Sequence, residues 1–174
     1  MDIVTKAQES IADFSDCMKY RWSLKRDLRN INSGDKVINF IMLNPSTANE
    51  EFNDPTVARC ENRAIDMGYS YMIVTNIFAF RATEPSDMRG NENPIGDLND
   101  KAILESALEA DYIICAWGNH GEFLERGASV KKILDDLNKP LYYLKMNSSG
   151  EPSHPLYLKK DITPILWNKT KDKK

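Results

Sequence analysis

Five short clusters in the sequence carry groups that can do chemistry: Asn44-Pro45-Ser46-Thr47, Asn76-Ile77-Phe78-Ala79-Phe80-Arg81, Trp117-Gly118-Asn119-His120, Asn147-Ser148-Ser149-Gly150 and Ser153-His154-Pro155. Asp54-Pro55 stands between the first two. Together they offer amides, hydroxyls, imidazoles, an arginine and aromatic faces. An asparagine amide donates and accepts side by side, which matches the edge of a nucleobase, and a phenylalanine ring stacks on the face of one. The set therefore suits a planar heterocycle. Other chemistries lack their residues. There is no glycine-rich phosphate loop and no serine on a glycine elbow, so hydride transfer, ATP chemistry and serine hydrolysis are poorly supported. The two histidines and three cysteines lack metal-ligand spacing, and neither a metal nor a cofactor is expected.

Each cluster needs an element to aim it. Four short apolar runs, Val37–Leu43, Tyr71–Thr75, Tyr112–Trp117 and Leu141–Leu144, read as buried strands, and the loop chemistry follows or closes each run. Tyr20–Leu24 alternates and fits an antiparallel edge strand. Helices fill the gaps. One is capped by Asp54, opened by Pro55 and ended at Gly68, with Val57, Cys60, Ala64 and Met67 on one face. A second opens at Asp97 with the stripe Ile103, Leu104, Ala107 and Leu108, and a third covers about 122–137 with Val130, Ile133, Leu134 and Leu137 inward. The alternation predicts an α/β fold, a three-layer α/β/α arrangement around a central, mainly parallel four-stranded sheet. In such sheets ligands bind beyond the carboxyl ends of the strands, where these loops converge.

Taken singly, each residue has a plainer role. Asn44 before Pro45 shapes a turn, Asp54 caps a helix, Asn76 caps a loop, and Phe78 and Phe80 fill a core. Trp117-Gly118 reads as a packed aromatic before a hinge, and His154 as a satisfied surface histidine. Their expected co-location is what favours a site.

At 174 residues, 41% hydrophobic and 28% charged, the chain suits one domain, expected over residues 1–168, with a flexible basic tail at 169–174. The layout predicts no membrane span and no secretory leader, and the three scattered cysteines fit a reducing cytoplasm. The net charge of −3 hides a distribution: residues 1–36 carry +1, 37–158 carry −8 and 159–174 carry +4. Cations at the margins keep DNA in contention as a partner, and the acidic middle keeps a nucleotide-sized ligand beside it.

Leu43-Asn44-Pro45-Ser46-Thr47-Ala48, Asp54-Pro55-Thr56, Asn76-Ile77-Phe78-Ala79-Phe80-Arg81-Ala82-Thr83, Ala116-Trp117-Gly118 and His154-Pro155-Leu156-Tyr157-Leu158 resemble a family of bacterial and phage proteins known only as a domain of unknown function. In the same order, Asn44-Pro45, Asn76, Trp117-Gly118 and His154-Pro155 more distantly resemble the uracil-DNA glycosylase superfamily. That resemblance implies a DNA glycosylase-like hydrolase. Asn44 would hold the attacking water, His154 would stabilise the departing base, and Asn76 would read the pyrimidine edge beside Phe78 or Phe80. Leu156 or Tyr157 would wedge into the stack as the nucleotide flips out, and Ser46, Thr47 and Ser148 would contact phosphates. Arg81, Trp117, Gly118 and Asn119 complete the expected binding set. Two departures matter. Small Ser46 stands where the strictest uracil enzymes carry a bulky tyrosine, which points to a larger or 5-modified base. A strong general base is missing from the first loop unless Asp54 supplies it. A non-catalytic nucleotide sensor or sponge using the same pocket is the competing expectation.

Overall fold

A computed structural model of the chain describes residues 3–170. Met1, Asp2 and the last four residues of the expected basic tail lie outside the described residues. In chain order the elements are β1 (Ile3–Val4), β2 (Glu9–Phe14), β3 (Arg21–Asp27), β4 (Val37–Met42), β5 (Phe52–Asn53), α1 (Pro55–Asp66), β6 (Tyr71–Asn76), α2 (Pro85–Arg89), α3 (Asn99–Glu109), β7 (Tyr112–Cys115), α4 (Arg126–Asp135), β8 (Leu141–Tyr143) and β9 (Ile165–Leu166).

The fold is α/β, built on a mixed seven-stranded sheet of order β2-β3-β6-β4-β7-β8-β9. The four apolar runs form β6, β4, β7 and β8, each parallel to its neighbour among them. The sheet is nevertheless larger than the four strands expected. Antiparallel strands extend both sides, β3 and β2 beyond β6 and β9 beyond β8. The segment expected at an edge is interior: β3 lies between β6 and β2. Its own alternation misled because only the period was legible, while the strand that covers it, β2, is a half-exposed run with no buried residue.

All six residues of β4 are buried, as the central strand of a sheet covered on both faces must be. Two cores result. Val57, Cys60 and Ala64 of α1 pack with Ile38, Phe40 and Val74 on one face. Ile103 and Ala107 of α3 and Val130 and Leu134 of α4 pack with Ile41, Ile73 and Ile113 on the other. Helix α1 starts as its sequence predicts, with Asp54 Oδ1 accepting from the Val57 N–H at 2.8 Å, and Gly68 follows it at φ +85°. Two helix expectations need correction. Helix α3 begins at Asn99, not Asp97, and Leu108 faces solvent because its stripe turns off the core after Ala107. The expected 122–137 helix is broken: 119–125 is a 3-10 segment interrupted at Phe123 and Leu124, and α4 begins only at Arg126. No helix among the described residues is long and apolar enough to cross a membrane.

Strands β4, β6, β7 and β8 all exit at one edge. The chain passes from β4 outward to β6 on one side and then back to β7 on the other, so the strand order reverses beside β4. Open α/β sheets form their ligand crevice at such a reversal. Phe40 sits fully buried at the middle of β4. Phe40→Ala is expected to cost about 3–5 kcal/mol of stability, measured by urea unfolding, with the m-value unchanged if the loss is confined to packing.

Candidate functional site

A cavity of about 640 Å³ opens at that edge. It falls within the range of small-molecule pockets. Asn44, Asp54, Asn76 and His154, drawn from four separate stretches of chain, all line it, as do Ser46, Trp117, Gly118, Asn119, Leu156 and Tyr157.

Backbone pairing continues past the strand ends and fixes the first two loops together. Met42 is in register with Asn76, and the N–H groups of Ile77, Phe78 and Ala82 donate to Met42, Leu43 and Pro45, each at 2.9 Å. Asn44 Nδ2 donates to the Ala82 carbonyl at 2.8 Å and to that of Pro45 at 3.2 Å. Because both partners are acceptors, the amide is oriented with Oδ1 as its remaining acceptor. Such an acceptor holds a water by one of its hydrogens. Asp54 uses Oδ1 to cap α1, which leaves Oδ2 for the cavity it lines. The segment leading into Asp54 is anchored by buried Arg26, which donates to the carbonyls of Asn49 and Phe52 and to Asn53 Oδ1 at 2.6 Å.

The sequence reading missed Arg21. This residue of β3 is fully buried and lines the cavity. Its guanidinium donates to the Ala48 carbonyl and to Asn76 Oδ1, both at 3.2 Å, and Nε has no partner. No carboxylate lies within ion-pair distance of it among the described residues. Burial pushes its pKa down to about 10, with the charge of Asp54 opposing the shift, so it remains cationic at neutral pH. Arg21 takes Asn76 Oδ1, which leaves Nδ2 as the remaining donor of this cavity-lining amide. The only signal in the sequence was a basic residue inside an otherwise strand-like run.

His154 is positioned by Gly118. The glycine has φ +79°, a region that penalises side chains, and a Cβ there would come within 3.4 Å of His154 Cβ. Its N–H also donates to the Pro152 carbonyl at 2.7 Å, which ties the β7 exit to the loop that carries the histidine. The Leu156 N–H donates to His154 Nδ1 at 3.4 Å, so the neutral ring carries its proton on Nε2. Burial lowers the His154 pKa, with Asp54 opposing the shift. The ring is thus a neutral N–H donor at pH 7. Trp117 is buried; its indole N–H donates to Glu151, whose own pKa is raised first by burial and further by Glu122.

Five expected binding residues are not brought into the cavity. Phe78 is fully buried in the α3/α4 core, 5.7 Å from the Phe123 ring. Phe80 packs edge-on against Tyr20 at 5.7 Å. Arg81 donates to the Met18 carbonyl at 2.9 Å and lies over the Phe14 ring. Thr47 and Ser148 are exposed outside it. Of the two expected wedge residues, Tyr157 projects into solvent at 94% exposure with φ +90°, whereas Leu156 is half-buried. Among the described residues, no three His, Cys, Asp or Glu side chains converge as metal ligands would.

Two outcomes follow from this geometry. The His154 imidazole is expected to titrate below the usual 6.5 by NMR. Since the unfolded chain then binds the proton more readily, stability is full above pH 6.5 and falls as pH drops through the window below it; His154→Gln flattens that slope. Gly118→Ala is expected to cost about 1–3 kcal/mol through its positive-φ backbone alone, measured by urea unfolding, with the imidazole midpoint of His154 unchanged because the added Cβ meets it at ordinary contact distance.

Residues 21–156 match the family model described as "Protein of unknown function (DUF1643)", while no curated protein and no solved structure matches the chain. That match covers most of the sheet, all four helices and most of the cavity wall. The chain belongs to the DUF1643 family of proteins of unknown function.

Proposed function

We propose that this protein is a DNA glycosylase-like hydrolase that admits a flipped-out pyrimidine to the cavity and hydrolyses its N-glycosidic bond. The observation that carries the reading is the meeting of Asn44, Asp54, Asn76, His154 and Arg21 around one 640 Å³ cavity. A nucleophile positioner, a carboxylate, a base-edge amide and two donors for a developing anion are what this reaction needs.

The step balances without a cofactor. Asn44 Oδ1 accepts from a water whose oxygen attacks C1′ of the sugar. The C1′–N1 bond breaks and its electron pair leaves with the base. Asp54 Oδ2 takes the proton of the attacking water as the new C1′–O bond forms. His154 Nε2–H donates to the base oxygen on which charge collects, and the Arg21 cation lowers the energy of that charge in a water-poor pocket. Asn76 Nδ2 donates to an acceptor on the base edge. Ser46 leaves the space beside position 5 of a pyrimidine open, which favours a 5-modified substrate. Tyr157, exposed at the mouth, is the residue suited to replace the flipped base in the stack.

A second reading, a nucleotide sensor without chemistry, draws on the net −8 of residues 37–158, which furnish nearly all of the cavity wall. An abasic-site assay on oligonucleotides bearing uracil or 5-modified pyrimidines separates the two. The glycosylase reading expects strand scission after alkali. His154→Ala should lower the rate by about 10²–10³, and Asn44→Ala by a similar factor with substrate binding retained. No abasic product from any substrate, together with thermal stabilisation by free nucleotides, overturns it in favour of the sensor.

A further inference from the structure

A second cleft, of about 260 Å³, lies along α1 beyond the candidate site. Four cations line it, Lys6, Arg59, Arg63 and Lys160, against a single carboxylate, Asp66. In a chain of net charge −3 this is a local excess of positive charge. None of the four cations is in an ion pair within 4.0 Å among the described residues.

Two of the cations are preorganised. Arg59 donates to the Leu158 carbonyl, and Arg63 donates to those of Lys159 and Ile162, both at 3.1 Å. These hydrogen bonds hold the guanidiniums in place and leave further N–H groups uncommitted, since each guanidinium has five. Lys6 Nζ is steered by Asn62 Oδ1 at 2.8 Å. A cleft with four cations against one carboxylate, two of the cations held by backbone carbonyls, fits an oxyanion with several oxygens, and arginine and lysine together are the usual receptors of phosphate.

The cleft and the cavity draw on the same two segments, α1 and residues 156–160. Pro55, Thr56 and Val57 of α1 line the cavity, and Arg59, Asn62 and Arg63 of the same helix line the cleft. Leu156, Tyr157 and Leu158 line the first and Lys160 the second. From Thr56 to Arg63 the helix advances about 10 Å, close to the axial rise of about three stacked nucleotides. Exposed Tyr157 lines the cavity three residues before Lys160 of the cleft.

We propose that this cleft binds the phosphates of a nucleic-acid strand whose nucleotide enters the cavity, so that the strand runs from the Tyr157 mouth along α1. The proposal rests on the nucleic-acid reading of the cavity and adds the surface and direction of the flanking strand. Binding then owes its salt dependence to these cations, not to the acidic remainder of the surface.

The test measures affinity of the full chain for a fluorescent single-stranded oligonucleotide of about a dozen residues by anisotropy, across a series of salt concentrations. Lys6→Glu with Lys160→Glu is compared with Lys101→Glu with Lys132→Glu, an equal charge change on α3 and α4 across the sheet. The cleft pair is expected to weaken binding at least tenfold at low salt. It should also reduce the log–log salt slope by about 0.7 for each phosphate that is no longer neutralised, while the remote pair changes neither much. Equal effects of the two pairs, no effect of the cleft pair, or no oligonucleotide binding by the unmodified protein each overturns the proposal. The abasic-site assay reads the chemistry separately. Cleft-dependent binding without excision removes the glycosylase reading alone, and excision unaffected by the cleft pair at low salt, with unchanged affinity, removes the cleft alone.

Discussion

Strand β4 is the constraint on which the other features depend. A strand buried at every position must pair on both sides and be covered on both faces. Parallel pairing with β6 and with β7 satisfies the first need, and helices from the two crossovers satisfy the second. The same pairing puts Met42 level with Asn76 and Ile41 level with Cys115, so three loops start within a residue or two of one line. Asn44, Asn76 and Gly118 therefore meet by consequence of register. Slipping β4 by one residue would turn its side chains from one core to the other and shift its exit loop along the edge.

Charge inside this arrangement is handled by arginines of β3. Arg26 meets its burial cost with carbonyls and an amide from the 49–53 segment, and in doing so holds the approach to Asp54. Both leave Nε unpartnered, but Arg21 is less completely satisfied, with two acceptors against four for Arg26. A buried cation without an ion-pair partner costs stability. Its location at the cavity gives that cost a use, because an anionic or acceptor-bearing ligand would complete its bonding. With His154 neutral, the cavity holds one fixed positive charge and one fixed carboxylate.

Much of the site was legible because the loop motifs sit directly at strand ends. Asn44, Asn76 and Trp117-Gly118 close or follow apolar runs that read as strands, and parallel strands send their exits to one edge; His154 comes later, in the loop that Gly118 ties to the β7 exit. Asp54 was legible as a cap and entered the cavity through the same position, since a helix N-terminus aimed at the edge exposes its capping carboxylate there. The aromatic pair Phe78 and Phe80 shows the limit. The resemblance offered Phe78 or Phe80 as a stacking wall, but the chain past Asn76 is zipped to Leu43 and Pro45, which delivers Phe78 to the α3/α4 core and Phe80 to Tyr20. Strand β2 was illegible for a different reason: its pattern is half-exposed throughout, with no apolar face to declare it.

Local sequence alone determined the four parallel strands, the start and end of α1 and the identity of the polar loops, because burial period, capping and turn chemistry act over a few residues. Tertiary structure decided which side chains face the cavity. Arg21 enters it only because β3 pairs with β6, which carries Asn76, and the Phe78 ring leaves it only because two loops pair beyond the sheet. Side-chain direction at a loop or a strand end depends on partners distant in the chain, and no local pattern encodes them.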